Sequence, residues 1–299
     1  MNTDARGGAA LDGAALSALA FLTLVWGYNW VVMKIALQYA APFTFAAWRS
    51  ALGGLLLLAV LLLLRKPFWP RRPGRALLLG LLQTTLFIGL IAWALQQGNA
   101  GKSAVLAYTM PFWVILLAPF VLGERLKGAQ WLAVALALLG LLLIFSPWKR
   151  APDLPSSLMA LAAGVAWALS VLVAKKMPVQ GPWELLSLTG WQMCLGALPL
   201  MLIAWLVPGR ATEWNGTLAW TLFYNVVPGN ALAWTLWLFV VGRLSATLSG
   251  LASLATPVVG VLLGWLQLGE RPAPAEACGM LLVFGALLLL SLAAAKKTQ

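Results

Sequence analysis

The sequence predicts an all-α integral membrane protein: ten transmembrane helices arranged as two inverted five-helix repeats. Three observations predict it, namely an apolar composition, ten apolar runs of spanning length, and internal repetition. Of the 299 residues, 62% are hydrophobic and 9% charged, too apolar for a domain whose surface faces water. A spanning helix takes about 20 mainly apolar residues. The chain therefore holds roughly ten spans with short connections and no sizeable domain outside the bilayer.

The runs fall at residues 14–37, 43–64, 76–97, 103–122 and 128–146, then 154–174, 183–207, 217–241, 244–268 and 275–295. The most polar break, Ser146 to Pro155, separates the two sets. This divides the chain into a tail (1–13), a first five-helix repeat (14–146), a linker (147–154), a second repeat (155–295) and a short C-terminal tail (296–299). Residues 1–13 lack a basic stretch followed by a short apolar core and a cleavage site, so no cleaved signal is expected.

Repetition is visible directly. A shift of 146 residues superposes Ala100 on Ala246, Ser103 on Ser249, Pro111 on Pro257 and Gly123-Glu124-Arg125 on Gly269-Glu270-Arg271. Shifts of 141 and 143 superpose Trp26 on Trp167 and Lys34 on Lys175, then Trp48 on Trp191 and Gly53 on Gly196. Five helices per repeat is an odd number, so the second copy enters the membrane from the opposite side. Inverted repeats of this kind are characteristic of alternating-access carriers.

The formal charge of +12 does not point to nucleic acid, because the basic residues are scattered among short loops rather than gathered into a patch. They report orientation instead, since cytoplasmic loops retain Lys and Arg. With the N-terminus inside, thirteen fall on the inner side and six on the outer, with Arg49 left within a helix. Both termini are therefore expected in the cytoplasm of a bacterial inner membrane.

The chemistry of the interior is sparse. There is no histidine, and the two cysteines, Cys194 and Cys278, lie in separate apolar helices, where they read as packing residues rather than a disulfide or metal pair. All eight carboxylates fall in tails, loops or helix ends. A pump exchanging organic cations for protons usually needs one near the midplane. A facilitator driven by its substrate's gradient fits better, with no metal and no cofactor. A membrane-embedded lipid-modifying enzyme would need clustered Asp, or acid-base pairs, and the chain has neither.

Polar residues in hydrocarbon cost free energy unless partnered or facing a wet cavity. Those expected at depth include Tyr28, Asn29, Gln83, Tyr108, Gln192, Asn225 and Asn230. Singly each reads as helix-to-helix hydrogen bonding; together, at similar depths in both repeats, they read as the lining of a central path. Trp26, Trp93, Trp113, Trp167, Trp191 and Trp234 are also expected deep. There Trp167 and Trp191 join Tyr28 and Tyr108 as faces for stacking an aromatic ring. Arg49 either snorkels to the outer interface or faces the path and holds a substrate carboxylate. Pro111, Pro228 and Pro257 each delete a helical hydrogen bond and are candidate hinges.

The run Trp26-Gly27-Tyr28-Asn29-Trp30 with Lys34, then Pro42, Phe45 and Arg49, then Leu122-Gly123-Glu124 and its copy Leu268-Gly269-Glu270, resembles the EamA branch of the drug/metabolite transporter superfamily. The resemblance covers nearly the whole chain. It implies ten helices, both termini inside and a central substrate path. Within the branch the chain is most similar to bacterial exporters of aromatic and other neutral amino acids. The implied substrates are therefore amino acids or similar zwitterionic metabolites, with nucleobases or hydrophobic drugs as the alternative. The lipid bilayer is the other partner, nucleic acid is not, and the oligomeric state stays open, a monomer included. The loop charges generate a first prediction: reporters fused to either terminus read as cytoplasmic and one inserted near Asp153 reads as external, and an external C-terminus would refute the ten-helix count.

Overall fold

The computed structural model describes residues 13–123, 128–145, 153–177, 181–207, 209–233, 236–237, 240 and 255–295. The helices are α1 (Gly13–Ala36), α2 (Pro42–Leu63), α3 (Pro73–Gln97), α4 in two pieces (Ala100–Ala107 and Met110–Leu122) and α5 (Gly128–Phe145). The second set is α6 (Leu154–Lys175), α7 (Pro182–Leu206), α8 (Gly216–Val226, continuing through Val227–Leu232), α9 (Ala255–Leu268) and α10 (Pro274–Ala295). Seven of these are apolar and long enough to cross a membrane, with shorter apolar helices at 130–145 and 255–268. This is an all-α, multi-pass membrane fold. The tails, most of the linker, Glu124, Trp234, Ser253 and the start of the ninth run lie outside the described residues.

Helix limits follow local chemistry. Helices α2, α3, α7 and α10 each open on a proline, whose missing N–H and fixed φ suit the first helical position. This moves the start of α3 from the expected residue 76 to Pro73. At the other ends, Gly123 and Gly269 close α4 and α9 in the left-handed region, at φ 71° and 68°. Only glycine adopts that conformation without strain. The repeated Leu-Gly-Glu motif is thus a helix stop.

Two helices depart from regular α geometry. The middle of α3, Gly80–Ile88, is π-helical, and so is the stretch Val227–Leu232 of α8. α3 and α8 are the third helices of their repeats, so the wide turn recurs with the repeat. The fourth helix, whose apolar run spans residues 103–122, is expected to kink at Pro111. It is interrupted at Tyr108-Thr109 because Pro111 cannot donate into the preceding turn, and Pro111 instead starts the second piece.

Packing has the two-fold logic of the repeat. α2 packs on α7 and α5 on α10, each pairing a helix with its own copy. α4 likewise meets its copy α9, and other contacts between the repeats come in exchanged pairs: α1 with α9 and α6 with α4, α3 with α7 and α8 with α2, α1 with α8 and α6 with α3. Small residues let backbones meet, since apolar area alone does not drive association in lipid. A Cβ on Gly54 would lie 2.7 Å from the Gly190 oxygen and one on Gly279 2.5 Å from the Gly140 oxygen. Cys194 packs in the first of these contacts, whereas Cys278 is exposed.

The tightest approach is between α3 and α7, where a Cβ on Gly196 would lie 2.3 Å from the Gly80 oxygen. Gly196→Ala should lower stability by about 1–3 kcal/mol through overpacking. At Gly285, where an added Cβ meets nothing within 4 Å, alanine should stabilise the helix by up to about 1 kcal/mol. Thermal unfolding in detergent micelles reads both, and equal shifts in one direction would refute the packing account.

Candidate functional site

Aromatic rings gather where the repeats meet. Tyr28 of α1 meets Tyr224 of α8 edge-on at 5.5 Å, and the Tyr224 hydroxyl donates to the Val25 carbonyl at 2.9 Å. A second series runs from Phe87 of α3 to Trp167 of α6 at 5.0 Å, on to Tyr108 of α4 at 5.3 Å, and from Tyr108 to Trp30 of α1 at 6.4 Å. Tyr28, Tyr108 and Trp167 are only part-buried. Each retains accessible ring surface beside an apolar wall.

Polar side chains cluster at the two wide turns. In α3, the Thr84 hydroxyl donates to Gln192 Oε1 of α7 at 3.2 Å, and the Thr85 hydroxyl donates to the Gly196 carbonyl at 2.7 Å. Gln83 lies in the same turn, part-buried. In α8, Asn230 Nδ2 donates to the backbone carbonyl of Arg49 at 3.4 Å, and Trp26 Nε1 of α1 donates to the Gly229 carbonyl at 3.2 Å. Asn29 Oδ1 lies 3.3 Å from where a Cβ on Gly229 would stand. Glycine therefore keeps α1 and α8 in contact at this point. Asn225, one turn before Gly229, donates from Nδ2 to the Thr221 carbonyl at 2.9 Å.

Three buried polar atoms here have no hydrogen-bond partner among the described residues: Asn29 Oδ1, Asn225 Oδ1 and Arg49 Nε. Buried polar groups are almost always paired, so each exception calls for an explanation. Arg49 is only 5% exposed, which does not fit a head group snorkelling to an interface.

Trp191 is not part of this cluster. Its Nε1 donates to the Phe68 carbonyl at 2.8 Å and its ring stacks on Trp69 at 4.8 Å, both residues lying in the α2–α3 connection. It pins that loop to α7, while its neighbour Gln192 turns to α3. Trp93, expected deep, is 47% exposed and meets Phe43 at the protein's rim. Among the candidate hinges, Pro111 opens the second piece of α4, where the Thr109 hydroxyl donates to the Leu106 carbonyl at 2.6 Å. Pro228 is the second residue of the wide turn of α8, and Pro257 is buried within α9.

Sequence reasoning missed an ionic clasp. Lys102, assigned to a loop, lies in the first turn of α4, is 5% exposed, and reaches Asp153 Oδ2 at 2.9 Å and Glu276 Oε1 at 2.7 Å. Beside it Lys34 pairs with Glu270 Oε1 at 2.9 Å and donates to the Gly98 carbonyl, while Glu270 Oε2 accepts from the Gly101 amide at 3.3 Å. The pairs of Lys102 with Glu276 and Lys34 with Glu270 join the first repeat to the second, and that of Lys102 with Asp153 joins the first repeat to the linker. The available signal was the run Asn99-Ala100-Gly101-Lys102, which starts the helix three residues before the expected Ser103.

The pattern of the EamA-like transporter family matches residues 14–146 and 154–292, one match to each repeat. The chain belongs to this family. Among similar EamA-type proteins is one from Bacillus subtilis named uncharacterized transporter YoaV, 26% identical over 88% of this chain and 91% of its own length. Another, from Salmonella typhimurium, carries the name probable amino-acid metabolite efflux pump and is 27% identical over 89% of this chain and 91% of its own. A protein known from a crystal structure has the same fold, with a TM-score of 0.65 at 21% identity, covering 94% of this chain and 98% of that one.

In this EamA-like transporter the clasp is testable separately from transport. Lys102→Met leaves two carboxylates without their shared cation and should cost about 2 kcal/mol, below the usual 3–5 for a fully buried pair because Asp153 and Glu276 remain partly hydrated. Adding Asp153→Asn and Glu276→Gln should recover most of that loss. Thermal unfolding of the single and triple variants checks it, and a triple variant no more stable than Lys102→Met would refute the clasp.

Proposed function

We propose that the protein is an alternating-access carrier that moves aromatic and other neutral amino acids, or similar zwitterionic metabolites, outward across the bacterial inner membrane, with both termini cytoplasmic. The observation that carries this reading is the presence of part-buried rings from both repeats, Tyr28 against Tyr224 and, separately, Tyr108 against Trp167, with buried Asn29 and Asn225 following Tyr28 and Tyr224 in the chain. Rings offer an aromatic side chain stacking partners, and amides serve a polar head group. The name of the Salmonella relative, an amino-acid metabolite efflux pump, supports the same substrate class.

The protein acts as a carrier rather than a catalyst: the relatives are transporters, and the described carboxylates stand at helix ends away from the rings. Without histidine or a carboxylate among the rings, the substrate's own gradient is the driving force. The pseudo-equivalent wide turns of α3 and α8, with Pro111, Pro228 and Pro257, are the places where the repeats exchange shape.

Purified protein in liposomes tests the reading with labelled phenylalanine, tryptophan, alanine, adenine and a cationic dye. The aromatic amino acids should cross fastest, and without an imposed proton or sodium gradient. Trp167→Ala should weaken phenylalanine by up to about tenfold, the equivalent of one ring pair, and alanine by much less. Strict gradient dependence, or a preference for the dye, would overturn the proposal.

A further inference from the structure

Arg49 is a buried cation whose counter-ion is absent from the described protein. Its side chain sits seven residues into α2, and its guanidinium forms no ion pair there. Each described carboxylate is committed elsewhere: Glu270 to Lys34, Asp153 and Glu276 to Lys102, Glu184 to Arg71, and Glu213 to Arg210. A guanidinium stays charged at any physiological pH. Burying it unpaired is costly, and the cost is removed when an anion arrives.

The repeat shows that packing does not demand this charge. The shift of 143 residues that superposes Gly53 on Gly196 also superposes Arg49 on Gln192. Gln192 is equally buried and is satisfied by Thr84 in the wide turn of α3. In the exchanged contact, Asn230 in the wide turn of α8 approaches Arg49 but donates to its backbone carbonyl, leaving Nε empty. One position of the pair is thus neutral and complete, the other charged and incomplete. The neighbouring Gly229 brings in Asn29, whose orphan Oδ1 is an acceptor of the opposite polarity.

We infer that Arg49 is the anchor for a carboxylate on the transported molecule, with Asn29 Oδ1 accepting from its ammonium group, so that the carrier selects carboxylate-bearing substrates and rejects amines and amides. The inference rests on the carrier reading above and narrows it to a chemical class. The planar fork of arginine matches a carboxylate with two parallel hydrogen bonds, which Lys cannot reproduce. The ring series then reads the side chain.

The experiment compares phenylalanine, 3-phenylpropionate, which lacks the ammonium, and 2-phenylethylamine, which lacks the carboxylate, as stabilisers of the purified protein against heat and as competitors of phenylalanine flux in liposomes. Phenylpropionate should compete at least tenfold better than phenylethylamine, and phenylalanine best of the three. Arg49→Gln, which copies the residue of the second repeat, should fold with unchanged or higher thermal stability and lose phenylalanine binding at least tenfold. Arg49→Lys should recover only part of it. Equal competition by the amine and the acid on the native protein would overturn the inference whatever the variants do, as would full-rate phenylalanine flux by Arg49→Gln. If the native protein moves no amino acid yet is stabilised by phenylpropionate through Arg49, the carrier reading fails and the carboxylate site stands.

Discussion

Hydrocarbon offers no hydrogen bonds, and every departure from regular helix in this protein is shaped by that fact. A backbone carbonyl freed by a wide turn or a close glycine contact must find its donor within the protein. Trp26 supplies it for Gly229, while Thr85 and Asn230, from the wide turns themselves, donate to the Gly196 and Arg49 carbonyls of the regular helices they pack on. The break in α4 is met locally, by the Thr109 hydroxyl on the Leu106 carbonyl and by the Trp113 indole donating to that hydroxyl at 3.1 Å. The polar side chains of the interior are thus divided between two tasks. Those that complete the backbone hold the irregular helices in place, and a few atoms, Asn29 Oδ1, Asn225 Oδ1 and Arg49 Nε among them, are left over.

Nearly all of the helical scaffold was legible in the sequence, because spanning length and apolarity are imposed by the bilayer itself. Observed limits differ from the expected ones by three residues where helices open on Pro73 or Ala100. The two-fold relation of the repeats was legible too, since Pro111 with Pro257 and Gly123 with Gly269 mark equivalent points of equivalent helices. Helix rotation was not. A soluble helix shows its buried face by contrast with its polar one, but in lipid both faces are apolar. Trp93 and Trp167 therefore looked alike, although one lies at the rim and the other among the rings. Trp191 and Gln192, adjacent in sequence, go separate ways for the same reason.

The wide turns and the clasp were hidden for different reasons. A π-helical turn has no compositional signature, and Gln83-Thr84-Thr85 reads equally well as ordinary helix. The clasp needed the knowledge that Lys102 and Glu276, 174 positions apart, meet at one end of the bundle. Local pattern gives the charge of each residue, but only tertiary packing decides whether that charge is hydrated, paired or stranded.

The two ends of the bundle are held unequally. At one, a nearly buried lysine grips two carboxylates at 2.7 and 2.9 Å. At the other, the described pair between repeats is Arg71 with Glu184, at 3.6 Å, with the arginine largely in solvent. Dissolved salt screens the second and barely reaches the first. Unequal fastening of this kind makes the lysine end the firmer of the two and leaves its grip nearly independent of ionic strength.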